Sequence, residues 1–214
     1  MKKKIIALNG SARKHGNTAQ MLDAFLEGVV SAGDFEIERI DLFDLDYKGC
    51  RGCHGCELKS RTGIGCVQKD GASELLARMR QADGIVFASP IFFWELTAQL
   101  RGLLERYIYP GALDHHQEIE AIYTMYQPEE VSRRSFTPHA DTVRGMMINF
   151  LWDVGFSELI INQTQSWETG KWDIYTNITP AHSAMVEALH EKRWPQDLQH
   201  GKEAGAKFAA RVLE

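Results

Sequence analysis

The chain has 214 residues, 44% of them hydrophobic, with a formal net charge of −5 and a sequence pI near 5.9. This length suits one α/β domain, residues 1–214, with a single sizeable core. The acidic balance argues against a basic nucleic-acid surface, and no apolar run approaches the length of a membrane span. We therefore expect a cytoplasmic protein, in which clustered cysteines are metal ligands or redox thiols rather than disulfides.

Strands and helices are predicted to alternate along the whole chain. The first strand is the apolar run 4–9, and an amphipathic helix begins near Asn17 after a turn-rich segment. The same order then recurs, with strands over 35–42, 84–88, 119–125 and 159–161, helices over 73–80, 96–107, 141–154 and 196–213, and the last helix preceded by Pro195. Segments 127–139 and 163–179 remain unassigned. This alternation predicts a parallel sheet with helices on both faces and ligands beyond the carboxyl ends of its strands.

The loop after the first strand, GSARKHGNT over residues 10–18, has the features of an anion site. A helix that begins near Asn17 directs backbone amides and its positive dipole end into this loop. Ser11, Asn17 and Thr18 add side-chain donors, and Arg13 adds positive charge. The loop lacks the Walker pattern and G-x-G-x-x-G, which disfavours ATP and a conventionally bound dinucleotide. It therefore predicts a phosphate site, and simple capping of the helix is the alternative.

The second strand leads into a cysteine-rich loop at about 46–70. Cys50, Cys53 and Cys56 follow a C-x2-C-x2-C pattern, nine residues separate Cys56 from Cys66, and these are the only four cysteines in the chain. This compact spacing is typical of iron–sulfur clusters. Free or redox-active thiols are one alternative. Zinc is another, although zinc sites usually pair two C-x2-C units farther apart.

Three consecutive aromatic residues, Phe92, Phe93 and Trp94, follow the third strand and the Ser89-Pro90 break. They cannot all face one core, so we expect at least one of them to project into the crevice above the sheet. A planar ring system could lie there, and the alternative is an apolar start to a packed helix. A loop for a planar ring beside a loop for a phosphate predicts a mononucleotide such as FMN.

These motifs resemble a known family. The residues are GS-x-R-x-x-GNT at 10–18, the three cysteines with Cys66-Val67 downstream, ADGIV at 82–86, and SPIF through TAQLR at 89–101. They look like the NADPH-dependent FMN reductase and iron–sulfur flavoprotein branch of the flavodoxin-like superfamily, over residues 4–108. The resemblance implies a three-layer sandwich with a five-stranded parallel sheet in the order 2-1-3-4-5. It also implies one FMN per subunit and homodimers or homotetramers with the flavin near an interface.

The resemblance also assigns site residues. The phosphate-binding positions are Ser11, Arg13, Gly16, Asn17 and Thr18. The loop for the isoalloxazine ring corresponds to Pro90, Ile91, Phe92, Phe93 and Trp94. The third flavin loop, after the fourth strand, corresponds to Tyr123 and Thr124. Relatives that hold a [4Fe–4S] cluster match the first three cysteines but usually have their fourth at a shorter interval, so a cluster, zinc and free thiols all remain possible for Cys50, Cys53, Cys56 and Cys66.

The predicted function is that of an FMN-dependent oxidoreductase. Electrons would pass from NAD(P)H, or from a reduced carrier such as ferredoxin, to an acceptor such as a quinone, a flavin or a protein. Because the flavin performs the chemistry, no catalytic side chain is predicted. Two alternatives stand beside this function: an iron–sulfur flavoprotein that acts as a non-enzymatic electron carrier, and a redox sensor based on the cysteines.

Overall fold

The computed structural model describes residues 2–58, 65–164 and 179–214. Its strands are β1 (Lys3–Asn9), β2 (Phe35–Asp41), β3 (Gly84–Pro90), β4 (Gln117–Thr124) and β5 (Val154–Ile161). Its helices are α1 (Asn17–Ala32), α2 (Ser73–Met79), α3 (Ala98–Ile108), α4 (Glu129–Ser135), α5 (Thr137–Leu151) and α6 (Pro180–Leu213). Short 3₁₀ turns lie at Leu42–Asp44 and Gly55–Glu57.

The five strands form one parallel sheet in the order β2-β1-β3-β4-β5, which confirms the expected flavodoxin-like topology. Strands β1, β3 and β4 are buried along nearly their whole length, as continuous apolar runs in a sheet covered on both faces should be. The strand order reverses between β1 and β3. A ligand crevice is therefore expected at the carboxyl ends of these two strands.

Helices cover both faces of the sheet. On one face α1 and α6 pack together, and the rings of Phe25 and Phe208 lie 5.5 Å apart. A Cβ added at Gly28 would overlap the carbonyl of Lys202, and one added at Gly205 would overlap the carbonyl of Phe25. The two helix backbones are therefore in direct contact. The other face carries α2, α3 and α5. None of the helices in the described ranges combines the length and apolar character that a membrane crossing requires.

The long helix α6 differs most from expectation. It begins at Pro180 rather than near residue 196, so Pro195 lies inside the helix instead of at its start. A proline there removes one backbone hydrogen bond and costs roughly 3 kcal/mol. Packing offsets this cost, since the neighbouring Trp194 is buried and its indole N–H donates to Oε1 of Gln20 on α1 at 2.9 Å.

Three smaller differences concern the elements around β4 and β5. Helix α4 occupies part of the unassigned segment 127–139, and α5 covers 137–151 rather than 141–154. Strand β5 begins at Val154 rather than at 159, because a half-buried edge strand has no continuous apolar run to reveal its first residues. Most of the other unassigned segment, 165–178, lies outside the described residues.

Candidate functional site

The loops that follow β1, β3 and β4 leave the same edge of the sheet. The strand register places Asn9 opposite Ala88, and Pro90 opposite Thr124. The phosphate loop, the aromatic loop and the loop after β4 therefore lie next to one another, where a parallel sheet binds its ligands.

A buried asparagine at the end of β1 shapes the phosphate loop. Asn9 is fully buried, and its Oδ1 accepts a hydrogen bond from the Ser11 amide at 3.1 Å. Its Nδ2 donates to Oδ1 of Asp41, at the end of β2, at 2.7 Å. The hydroxyl of Ser11 in turn accepts from the Arg13 amide at 3.1 Å. The protein's own side chains thus fix the loop. The sequence analysis did not identify Asn9, although a polar residue that ends an apolar strand was the available signal.

The start of α1 provides anion-binding groups. Gly16 is the N-cap, and the first turn, NTAQ over 17–20, contains no carboxylate. The side chains of Asn17 and Thr18 are buried at this helix end. The positive end of the helix dipole and the absence of negative charge favour an anion here.

Three threonines connect the three loops. The hydroxyls of Thr18 and Thr124 lie 2.7 Å apart, which joins the start of α1 to the end of β4. Thr97, the N-cap of α3, donates its hydroxyl to the carbonyl of Gly10 at 2.8 Å. Its amide donates to Oγ of Ser89 at 3.2 Å. The role of Thr97 was not predicted, because its partners lie far away in the sequence.

The aromatic loop is a tight turn with two strained residues. Phe92 and Glu95 exchange backbone hydrogen bonds of 2.9 and 3.0 Å. Between them Phe93 and Trp94 have φ values of 52° and 66°, a left-handed region that non-glycine residues rarely adopt. Phe93 is 99% exposed, which confirms that the three aromatics do not share one core. Strain of this kind is typical of ligand-binding loops.

Glu95 holds this turn in place. Its Oε2 accepts from Nη1 of Arg101 on α3 at 2.6 Å, and its Oε1 lies 3.2 Å from Nδ1 of His139 on α5. The turn is therefore anchored to two helices through one carboxylate. Sequence reasoning missed this anchor, for which the only signal was a charged residue next to three aromatics.

The side chain of Tyr123 does not face the crevice. It is fully buried, with ring centroids 6.4 Å from Phe87 and 5.0 Å from Phe136. Burial raises the pKa of its hydroxyl well above the ordinary value. Thr124, the next residue, places its hydroxyl at the edge of the sheet.

The four cysteines are unpaired and line one small pocket on the loop between β2 and α2. Burial raises the pKa of Cys56, and the negative charge of Glu57 acts in the same direction. The described residues contain no group of three or more His, Cys, Asp or Glu side chains in metal-binding geometry. The fold thus gathers the thiols around one pocket without bringing them to ligand distances.

One buried arginine ties the cysteine loop to the body of the protein. Arg106 on α3 is 1% exposed and also lines the cysteine pocket. Its Nη1 donates to Asp70 at 2.7 and 3.0 Å and to the carbonyl of Lys48 at 2.9 Å. Its Nη2 donates to the carbonyl of Gln68 at 3.4 Å. Arg106 was not predicted as a functional residue, although a charge among the apolar residues of α3 was a visible sign.

Comparison with known proteins agrees with this architecture. The sequence profile of the NADPH-dependent FMN reductase family matches residues 3–121. An iron–sulfur flavoprotein from Archaeoglobus fulgidus is 33% identical over 103 residues, which is 48% of this chain and 44% of that protein. The chain spans about half the length of the curated relatives it matches.

Solved structures share the fold at low identity. The NAD(P)H:quinone oxidoreductase from Methanothermobacter marburgensis is similar with a TM-score of 0.64, at 17% identity over 96% of each chain. A flavodoxin from the domain Archaea is similar with a TM-score of 0.53, at 15% identity over 99% of each chain. These likenesses show the flavodoxin-like fold.

Proposed function

Because the chain belongs to the NADPH-dependent FMN reductase family, we propose that it is an FMN-dependent oxidoreductase. In this proposal it passes electrons from NAD(P)H or a reduced carrier protein to an acceptor such as a quinone or a flavin. One observation carries the proposal: a preformed anion loop and a strained, exposed aromatic turn lie side by side at the edge of the sheet. That arrangement suits a ligand with a phosphate at one end and a planar ring at the other.

The residues at the start of α1 fit the phosphate. The amides at Gly16, Asn17 and Thr18 begin a helix whose first turn carries no negative charge. Ser11 lies in the same loop, and its conformation is already fixed by Asn9. Arg13 is exposed at the rim, where its charge would attract a phosphate. We infer that these groups bind and orient the FMN phosphate.

The aromatic turn and the end of β4 fit the ring. Pro90 and Ile91 would run along one side of it, and Phe92, Phe93 and Trp94 would exclude water from it. The amide of Ile91 donates to the carbonyl of Thr124 at 3.0 Å, so the two walls of this crevice are joined. When bound, FMN would supply the redox chemistry between the donor, NAD(P)H or a carrier, and the acceptor. The protein binds and orients the reactants.

The cysteine pocket fits a [4Fe–4S] cluster by the chemistry of its donors. Cys50, Cys53, Cys56 and Cys66 present four sulfurs to one pocket, and a buried cation lies behind them. We propose that these cysteines hold the cluster. When present, it would supply one-electron transfer between the flavin and an external carrier of the ferredoxin type.

We also propose that the protein is a homodimer or homotetramer. Helix α5 and the residue after it expose Ile148, Phe150 and Trp152, which are 42%, 53% and 73% exposed. Apolar side chains grouped on one helix end are a surface that association could cover. Light scattering on the purified protein gives the oligomeric state.

The deciding experiment is an absorption spectrum of protein purified without oxygen, with iron and acid-labile sulfide assayed on the same sample. Flavin bands with about four irons per subunit would support both cofactors. Flavin bands without iron, with rapid bleaching by NADPH or NADH, would leave a flavin reductase without a cluster. Flavin that NAD(P)H does not reduce would point to an electron carrier. No flavin after incubation with FMN would contradict the proposal.

Single substitutions test which residues bind FMN and which bind iron. Asn17→Ala should weaken FMN binding and leave iron unchanged, whereas Cys53→Ser should remove iron and leave FMN bound. Lys2→Gln, which removes an exposed lysine paired with Asp34 far from both loops, is the matched control. If Cys53→Ser keeps the full iron content, the proposed ligand set is wrong.

A further inference from the structure

We propose that Arg106 is a positioning residue of the cysteine pocket. Its Nε–H donates a hydrogen bond to a sulfur in that pocket, either Sγ of Cys66 or a sulfide of the bound cluster. This bond raises the potential at which the cluster accepts an electron. The inference rests on the proposed [4Fe–4S] cluster and adds a residue outside the C-x2-C-x2-C motif to its environment.

The first argument is the hydrogen bonding of the guanidinium. Nη1 and Nη2 donate to Asp70, Lys48 and Gln68. Nε is buried and makes no hydrogen bond within the described part of the chain. A buried donor that lacks an acceptor costs more free energy when it belongs to a charged group than when it belongs to a neutral one. Native structures rarely leave such a group unpaired, so an acceptor of another kind is expected.

The second argument is the position of Arg106. It lines the same pocket as the four cysteines, and that pocket is where a cluster would sit. Arg106 and Cys66 both line it, so the guanidinium and this sulfur belong to the same pocket. Nε2 of Gln68 lies 3.8 Å from Sγ of Cys66, so this sulfur already accepts from one neighbouring donor.

The third argument is chemical. A [4Fe–4S] cluster that accepts one electron gains one negative charge, and no covalent bond forms or breaks in that step. Hydrogen bonds to its sulfurs and nearby positive charge stabilise the reduced state, which raises the potential. Asp70 balances most of the charge of Arg106, so the direct donation from Nε carries the effect. Lysine has no atom equivalent to Nε, and this difference makes the role testable.

The test compares holoprotein purified without oxygen with Arg106→Lys and with the control Lys69→Gln. Lys69 is exposed on the wall of the neighbouring cavity and adjoins Gln68. Iron and sulfide are assayed first, and the cluster is then titrated with a chemical reductant and followed by EPR. At a fixed potential we expect about a tenfold smaller ratio of reduced to oxidised cluster in Arg106→Lys, equivalent to about 59 mV. Lys69→Gln should match the wild type. An unchanged potential in Arg106→Lys would overturn the inference.

A second measurement needs no variant and covers the case in which Arg106→Lys does not fold. Wild-type protein labelled with ¹⁵N-arginine is reduced and studied by pulsed EPR. With the label confined to the guanidinium, a ¹⁵N coupling to the cluster is expected, because among the described arginines only Arg106 lines the cysteine pocket. Its absence would contradict the hydrogen bond. A wild-type protein without iron would contradict the proposed cluster and this inference together, whereas iron without the coupling contradicts the inference alone.

Discussion

The flavin edge, by which we mean the ends of β1, β3 and β4 where we propose that flavin binds, and the cysteine loop are held by different kinds of contact. At the flavin edge several separate hydrogen bonds join neighbouring strands and helices, such as Thr18 with Thr124 and Thr97 with Gly10. In the cysteine loop a buried ion pair, Arg106 with Asp70, adds a charged anchor to neutral hydrogen bonds such as that of Tyr47 with Gln99, and the thiols face a pocket. The cysteine loop therefore relies more on a single charged contact and, in our proposal, on a bound cluster.

The largest effect should come from breaking the charged anchor. Asp70→Ala leaves the guanidinium of Arg106 buried without its carboxylate, and removing one partner of a buried pair costs about 3 kcal/mol. Urea denaturation should show that loss in the free energy of unfolding, with FMN affinity within twofold of the wild type. Glu129→Gln breaks the exposed pair with Arg133 and should cost less than about 0.5 kcal/mol. Equal losses of unfolding free energy in both variants would mean that the pair of Asp70 with Arg106 stabilises the protein no more than an exposed ion pair does.

A smaller effect is expected from the threonine pair at the flavin edge. Thr18→Val leaves the hydroxyl of Thr124 buried without its partner, which costs roughly 1–2 kcal/mol. Because Thr18 belongs to the proposed phosphate site, FMN affinity should fall about tenfold, as fluorescence titration would measure. Thr124→Val should behave similarly, and the double variant should lose less than the sum of the two. Strict additivity would mean that the two hydroxyls act independently.

A substitution in the strained aromatic turn should stabilise the protein, whereas the two changes above destabilise it. Asn tolerates the left-handed conformation of Phe93 better than phenylalanine does, and that side chain has almost no packing to lose. Phe93→Asn should therefore raise the free energy of unfolding by about 0.5–1 kcal/mol and weaken acceptor binding. Phe92→Asn, at an exposed neighbour with ordinary φ, should give no such gain. Thermal unfolding measures the change in stability, and the KM for the acceptor measures the change in binding.

The smallest effect is a pH dependence of stability that arises from the ion pair between Asp70 and Arg106. Burial opposes ionisation of Asp70, but hydrogen bonds from Arg106 and the amides of Ala72 and Lys48 lower its pKa below the ordinary 3.8. A lowered carboxyl pKa stabilises the fold above pH 3.8, and that contribution disappears as the pH falls through the native pKa. The stability difference between wild type and Asp70→Asn should therefore shrink in that acid range. A difference that does not vary with pH would contradict the assignment.

Local patterns predicted most of the fold, and contacts between distant residues account for the rest. The apolar runs of β1 and β3 and the loop motifs were sufficient for the parallel sheet, and the family resemblance supplied its strand order. Pro195 led to a wrong start for α6, because packing of Trp194 on α1 overrides the local signal. The roles of Thr97 and Arg106 could not be predicted, since their partners lie tens of residues away. The single domain over 1–214 stays a prediction.

The contact between α1 and α6 can form only late in synthesis, because the two helices lie near opposite ends of the chain. Gly28 and Gly205 allow the two backbones to touch, and the apolar face of α1 is covered by α6. A ribosome completes α1 long before it reaches the second half of α6. Until then the helix that follows the phosphate loop lacks the layer that covers it. In our proposal flavin capture is therefore a late step, and a nascent chain that retains FMN has already assembled both ends of its fold.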